Sequence, residues 1–157
     1  RHWNWAMDPN PREQASFLSE NLLPLQMSGQ LQFIERAGRW NRNAFSERFP
    51  SLEIFFADGN TDSQMIPVVS YKGKKVAFMA DLLPAAAHIP LAWVIGYDTR
   101  PLLTIEEKGL FLDVAAKEEW VLFFEHDAQN ACCTVERTEK GVRLREKAPE
   151  LEALMGT

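Results

Sequence analysis

The chain has 157 residues, 46% of them hydrophobic and 25% charged, with a formal net charge of −5. That length supports one domain with a real core, and that composition excludes a disordered chain. The acidic balance leaves no electrostatic footprint for nucleic acid or an anionic membrane surface, and no apolar run approaches the roughly 20 residues of a membrane helix.

The opening Arg1-His-Trp-Asn-Trp has no hydrophobic signal core and no initiator methionine, so a processed, trimmed or fragmentary chain is expected. Asn10-Pro11-Arg12-Glu13 carries a helix-start signal: asparagine caps, proline fits the first helical position and glutamate reaches back from the third. The predicted helix runs over 10–21 and stops before Pro24, and a short strand follows over 31–35. Residues 36–50 lack periodicity and predict an exposed loop.

Strands are predicted over Leu52–Ala57, 65–71 and 74–80, the last two joined by a tight turn at Lys72-Gly73. Residues 81–101 hold Pro84, Pro90, Gly96 and Pro101, an irregular connection long enough to suggest function or a cover. Thr104-Ile-Glu-Glu107 has the spacing of a capping box and is expected to open a second long helix, with Phe111, Leu112, Ala115 and Ala116 on one stripe. The continuously apolar run 120–124 predicts a strand buried on both faces. A hairpin over 132–137 and 142–145, turning at Lys140-Gly141, precedes a small final helix. The whole predicts an α/β fold around a central sheet.

The only two cysteines, Cys132 and Cys133, are adjacent. Strand neighbours point to opposite faces, so a bond between them would be strained. A reduced thiol pair with one member buried, in a cytoplasmic protein, is expected.

Polar residues sit just past three apolar runs: Asp58-Gly-Asn60-Thr-Asp62-Ser-Gln64, Asp81, and Glu125-His126-Asp127. A carboxylate at Asp81 offers hard oxygen donors, or serves only as a turn residue. An imidazole at His126 is a common metal ligand that flanking carboxylates can orient, or an ordinary surface histidine. The oxygens of 58–64 are ligands or turn hydrogen-bonders. His88 lines a pocket or is a packed histidine, Tyr97-Asp98 is pocket wall or loop anchor, and the five tryptophans read as packing.

The order of these segments resembles the C-terminal half of a metallo-β-lactamase-fold hydrolase over about residues 1–145. The resemblance is carried by Asp58-Gly-Asn-Thr-Asp-Ser-Gln-Met65, by Tyr71-Lys-Gly-Lys-Lys-Val-Ala-Phe-Met-Ala-Asp-Leu-Leu-Pro84 through His88-Ile-Pro90 and Gly96-Tyr-Asp98, and by Phe123-Phe-Glu-His-Asp127. It implies the C-terminal αβ half of an αββα sandwich, with residues 1–157 forming one partial domain. It implies a small-molecule hydrolase with two metal ions, usually zinc, whose metal-bound hydroxide attacks an ester, lactone, amide or phosphoester centre. By the resemblance Asp81 matches the aspartate that bridges both metals and His126 matches the last histidine ligand, with His88 and Tyr97 lining the substrate pocket.

Asn60 stands where the family has a histidine ligand in a Gly-His-Thr motif, and an amide oxygen is a weaker donor for zinc. The family's His-x-His-x-Asp-His motif is absent, because the only histidines are His2, His88 and His126. Pro84 replaces the tyrosine that some lactonases of the fold place three residues after the bridging aspartate. The expectation is therefore a partial metal site and a half-sandwich that self-associates or pairs with an N-terminal half. A metal-poor pseudoenzyme or binding module on the same scaffold is the alternative.

Overall fold

The structure, a computed structural model, describes residues 1–42 and 48–156. These form two compact units, Arg1–Arg36 and the remainder from Ala37. The part of the predicted loop that covers 43–47 lies outside the described residues.

The first unit holds α1 (His2–Met7) and α2 (Ser19–Met27). The helix expected over 10–21 is not formed, and residues 11–16 are turn. The capping chemistry is nevertheless present. Asn10 Oδ1 accepts from the backbone N–H groups of Arg12 and Glu13, at 2.9 and 3.2 Å. The Glu13 carboxylate accepts from Asn10 Nδ2 and, at 2.8 Å, from the Trp5 indole. With Glu13 drawn back toward Trp5, the turn closes on itself before Phe17, which packs edge-on against His2. α2 runs through Pro24, giving up the bond to the Glu20 carbonyl, rather than stopping before it. The strand expected over 31–35 is absent; Phe33 packs edge-on with Trp3 instead of joining a ladder.

The second unit is built on one seven-stranded sheet whose strands follow sequence order: β1 (Trp40–Asn41), β2 (Leu52–Ala57), β3 (Gln64–Tyr71), β4 (Lys74–Phe78), β5 (Val121–Phe123), β6 (Cys132–Thr138) and β7 (Gly141–Ala148). All neighbours are antiparallel except β4 and β5, which pair in parallel with Val76 opposite Val121. A parallel pair needs a crossover, and α3 (Pro101–Lys117) supplies it. Lys72 and Gly73 both take positive φ, 47° and 77°, as a two-residue turn matched to strand twist requires.

β1 forms within the expected loop because Trp40 has somewhere to pack: its ring lies 4.9 Å from Phe55, 5.8 Å from Phe111 and 5.5 Å from Trp120. The second helix begins three residues before the expected capping box, with Pro101 at its first turn. Thr104 and Glu107 are therefore interior helix residues facing the core side.

On one sheet face Phe55, Ile66, Val68, Ala77, Leu122 and Cys133 pack with Phe111, Leu112 and Ala115 of α3. On the other, Val76, Val121, Cys132 and Ala148 pack with Leu154 and Met155 of α4 (Glu152–Met155). Both cysteines are free and fully buried, one on each face, so the opposite-face expectation holds and burial extends to both. Beside the second cluster, Met65, Val69 and Tyr71 of β3 remain 42, 38 and 41% exposed. Among the described residues no helix is long and apolar enough to cross a membrane.

Candidate metal centre

β4 and β5 lie side by side and in register, with Phe78 opposite Phe123. Each chain leaves the sheet at the same edge, where open α/β sheets gather their ligands. Asp81 and His126 come three residues after that paired position, and their side chains meet, His126 Nε2 lying 3.3 Å from Asp81 Oδ1. Both remain open to solvent, at 57 and 37%. Ala80, just before Asp81, is held at φ 42°, a left-handed conformation costly for a residue with a Cβ and a common mark of functional sites.

The turn that carries His126 is fastened to the segment that follows Asp81. His126 N–H donates to the Pro84 carbonyl at 3.2 Å. The Asp127 carboxylate accepts from Ala86, Gln129 and Asn130 N–H at 3.1, 3.0 and 2.9 Å. Burial works against the Asp127 charge, but the N–H groups of Gln129, Asn130 and Ala86 outweigh it and hold the carboxyl below its ordinary value. A depressed folded pKa gives stability that is present above the unfolded value and lost as pH falls through the folded one. Asp127→Ala is therefore expected to lose about 1–3 kcal/mol at neutral pH by stranding N–H groups. It should also flatten the acid limb of the stability curve in urea melts taken from pH 7 to pH 3. An acid limb unchanged in the variant would refute this role.

The loop between β2 and β3 is organised from α3. The Glu107 carboxylate, 0% exposed, accepts from Asp58 N–H and Gly59 N–H, each at 2.9 Å, and pairs with the Arg39 guanidinium. Arg100 N–H and Thr99 N–H donate to the Gly59 and Asn60 carbonyls at 2.8 and 3.1 Å. Asp58 Oδ1 closes the loop by accepting from Ser63 N–H at 2.9 Å.

Asn60 is 7% exposed, and both ends of its amide are engaged. Nδ2 donates to Asp98 Oδ1 at 3.1 Å, and Oδ1 accepts from Gln64 Nε2 at 3.2 Å. An ionised carboxylate only accepts, so Asp98 dictates which way the amide faces. Burial pushes the Asp98 carboxyl up from its ordinary value; the Asn60 amide, the Thr104 hydroxyl and Lys108 oppose this, and the nearby Asp81 charge adds to it. Asp98 Oδ2, Gln64 Oε1 and Thr61 Oγ1 are buried without a hydrogen-bond partner in the structure.

His88 ends a short 3-10 turn, Ala86–His88, and its carbonyl accepts from Lys108 Nζ at 3.0 Å. Its Nδ1 is buried without a partner. Tyr97 is 76% exposed on the loop leading to Asp98. Asp81 and His126 thus meet directly, Asn60 is bonded to Asp98 and Gln64, and His88 is tied through its backbone to α3.

Sequence reasoning did not single out Lys108 or the anchoring role of Glu107. The signal was present: Thr104, Glu107 and Lys108 continue the helical stripe of Phe111, Leu112 and Ala115, which places two charges at core positions.

A metal in a tetrahedral or larger site needs more donors than these residues bring. Asp81 and His126 offer one carboxylate and one imidazole, and the Asn60 oxygen is already used by Gln64. No group of three or more His, Cys, Asp or Glu converges among the described residues. The donors among the described residues do not complete a site by themselves.

No family model matches the chain, and no curated protein matches its sequence. Solved structures do match its fold. A probable metal-dependent hydrolase from Staphylococcus aureus aligns over 95% of the chain at 21% identity, with a TM-score of 0.73. AbOPH, a hydrolase of the beta lactamase superfamily, aligns over 91% at 13% identity and a TM-score of 0.69. AidC, a dizinc quorum-quenching lactonase, aligns over 91% at 15% identity and a TM-score of 0.61. The chain covers 50, 51 and 47% of those three chains respectively, so it spans about half their length. The fold is of the metallo-β-lactamase type, consistent with a C-terminal half.

Proposed function

We propose that this chain is the C-terminal portion of a zinc-dependent hydrolase acting on a small molecule with an ester, lactone, amide or phosphoester bond. Asp81 and His126 are two of its metal ligands, Asn60 is a degraded ligand position, and His88 and Tyr97 line the substrate side. The observation that carries this reading is the Asp81–His126 contact, 3.3 Å, at the shared end of the parallel pair β4 and β5. The metal-dependent hydrolases among the structural neighbours support it. Residues 1–157 belong, on this reading, to one partial domain.

The remaining ligands come from an N-terminal half. The β3 face that exposes Met65, Val69 and Tyr71 is where that half packs, and a second copy takes its place when it is missing. The test is zinc content after co-expression with the segment encoded upstream of Arg1. Stoichiometric zinc is expected, with at least about tenfold weaker binding in Asp81→Ala and His126→Ala.

A second reading is a metal-poor binding protein on the same scaffold. It is favoured by the Asn60 amide, whose two ends are occupied by Asp98 and Gln64. If the completed protein carries no stoichiometric metal, and Asn60→His gains none, the hydrolase reading is lost and this one stands.

A further inference from the structure

We propose that Glu107 and Lys108, neighbours on α3, are positioning residues that set the two loops of the candidate site, Glu107 through backbone N–H groups and Lys108 through backbone carbonyls. The inference goes beyond the hydrolase reading and does not depend on whether a metal binds.

Both side chains are fully buried, at 0 and 1% exposure, which is rare for charged residues unless they are paired. Each is matched in sign to its loop. The Glu107 carboxylate takes Asp58 N–H and Gly59 N–H, just ahead of Asn60. The Lys108 ammonium gives its three N–H groups to the carbonyls of His88, Pro90 and Trp93, at 3.0, 3.2 and 2.6 Å. Neither loop has a strand ladder to satisfy these backbone groups, and buried groups left unpaired are costly. Consecutive helical residues point about 100° apart, so one turn of α3 can reach two loops. Arg39 balances Glu107. Asp98, on the loop itself, is the counter-charge to Lys108, and the His88 ring follows the first of the three carbonyls.

The two clamps also bear on each other's loops. Asp98 lies beyond the segment that Lys108 holds, and it fixes Asn60 in the segment that Glu107 holds. Releasing Lys108 frees a stretch carrying His88 and the 63% exposed Trp93.

The Lys108 clamp has a titration that generic packing lacks. Burial pulls its ammonium down to about 8, against the Asp98 charge. Above that pH a neutral amine keeps two N–H groups for three carbonyls, so the 86–98 segment should loosen. For global stability the sign is reversed. The unfolded chain holds the proton up to 10.5, so this group's burial penalty is relieved as pH rises from about 8 toward 10.5. Local loosening without global destabilisation is the signature.

Hydrogen exchange of the full chain, read by mass spectrometry and corrected for intrinsic rates, tests the proposal. In the unsubstituted protein, protection of 86–98 should fall about tenfold between pH 7 and pH 9, while β6–β7 stays flat. Lys108→Met should show that loss at every pH, with no midpoint, and loosen 58–60 less than 86–98, through the Asn60–Asp98 bond alone. Glu107→Gln should loosen 58–60 first. A flat profile for 86–98 in the unsubstituted protein overturns the proposal. So does a Lys108→Met protein that exchanges faster everywhere alike. The unsubstituted profile decides the matter even if both variants fail to fold. Zinc content can fail to appear without altering this pattern, so the two tests fall separately.

Discussion

Gly59→Ala is expected to destabilise the fold by about 3 kcal/mol or more, through overpacking against backbone. A Cβ at Gly59 would lie 2.3 Å from Thr104 Oγ1, 2.4 Å from Thr104 N and 2.6 Å from Thr104 Cα. Two of those atoms belong to the α3 backbone, which cannot step aside alone because Phe111, Leu112 and Ala115 anchor the helix in the core. Moving the loop instead would break the Glu107 bonds to Asp58 and Gly59 N–H. Gly109→Ala is the matched control. Its Cβ would meet only the Leu91 methyls at 3.7 and 4.0 Å, an ordinary contact. Alanine there should stabilise α3 by about 0.5–1 kcal/mol through helix propensity. Urea midpoints for the two variants should move in opposite directions. A Gly59→Ala protein within about 1 kcal/mol of the parent would mean that the loop is not held against α3 as described.

Asn60→His is the second large effect, and it is a gain. Imidazole is a far better zinc donor than an amide oxygen. The buried Asp98 carboxylate already accepts from the side chain at this position, and the Asp81 charge is felt at Asp98. A carboxylate behind a ligating histidine typically accounts for 10–100-fold in metal affinity. On the proposed hydrolase reading, with an N-terminal half supplied, the substitution should therefore tighten zinc binding by about 10–100-fold. Adding Asp98→Asn should cancel much of that gain. Competition titration against a chromophoric chelator reads both affinities directly, independently of any activity. Equal affinities for Asn60 and its histidine replacement would show that position 60 does not face the metal.

The sheet was largely legible along the chain because its signals are local. The apolar runs of β2, β4 and β5, the Lys72-Gly73 turn and the β6–β7 hairpin follow from period and turn chemistry. Capping signals were less dependable. Asn10 and Glu13 make the capping bonds without a helix, since the same bonds serve an isolated turn. Thr104 and Glu107 have capping-box spacing, yet α3 begins at Pro101 and uses both residues for contacts outside the helix. Sequence places Trp40 in a loop because two strand residues carry no periodicity; three aromatic neighbours distant in sequence make it a strand.

The same division runs through the site. Asp81 and His126 stood out from sequence alone, because each follows an apolar run and strand ends are recognisable one at a time. That they meet at 3.3 Å depends on β4 and β5 pairing in parallel and in register, a consequence of the α3 crossover. The place of Asn60 was visible as a residue type, and its capture by Asp98 was not. That bond joins residues 38 apart in sequence, and the bonds from Glu107 to the 58–59 backbone span 48 and 49. Period and turn chemistry thus determined most of the strands, and the candidate ligands came from residue types at strand ends together with the family resemblance. Only the tertiary structure decided which polar groups are left open and which are spent on holding loops, because buried hydrogen bonds are settled by proximity in space.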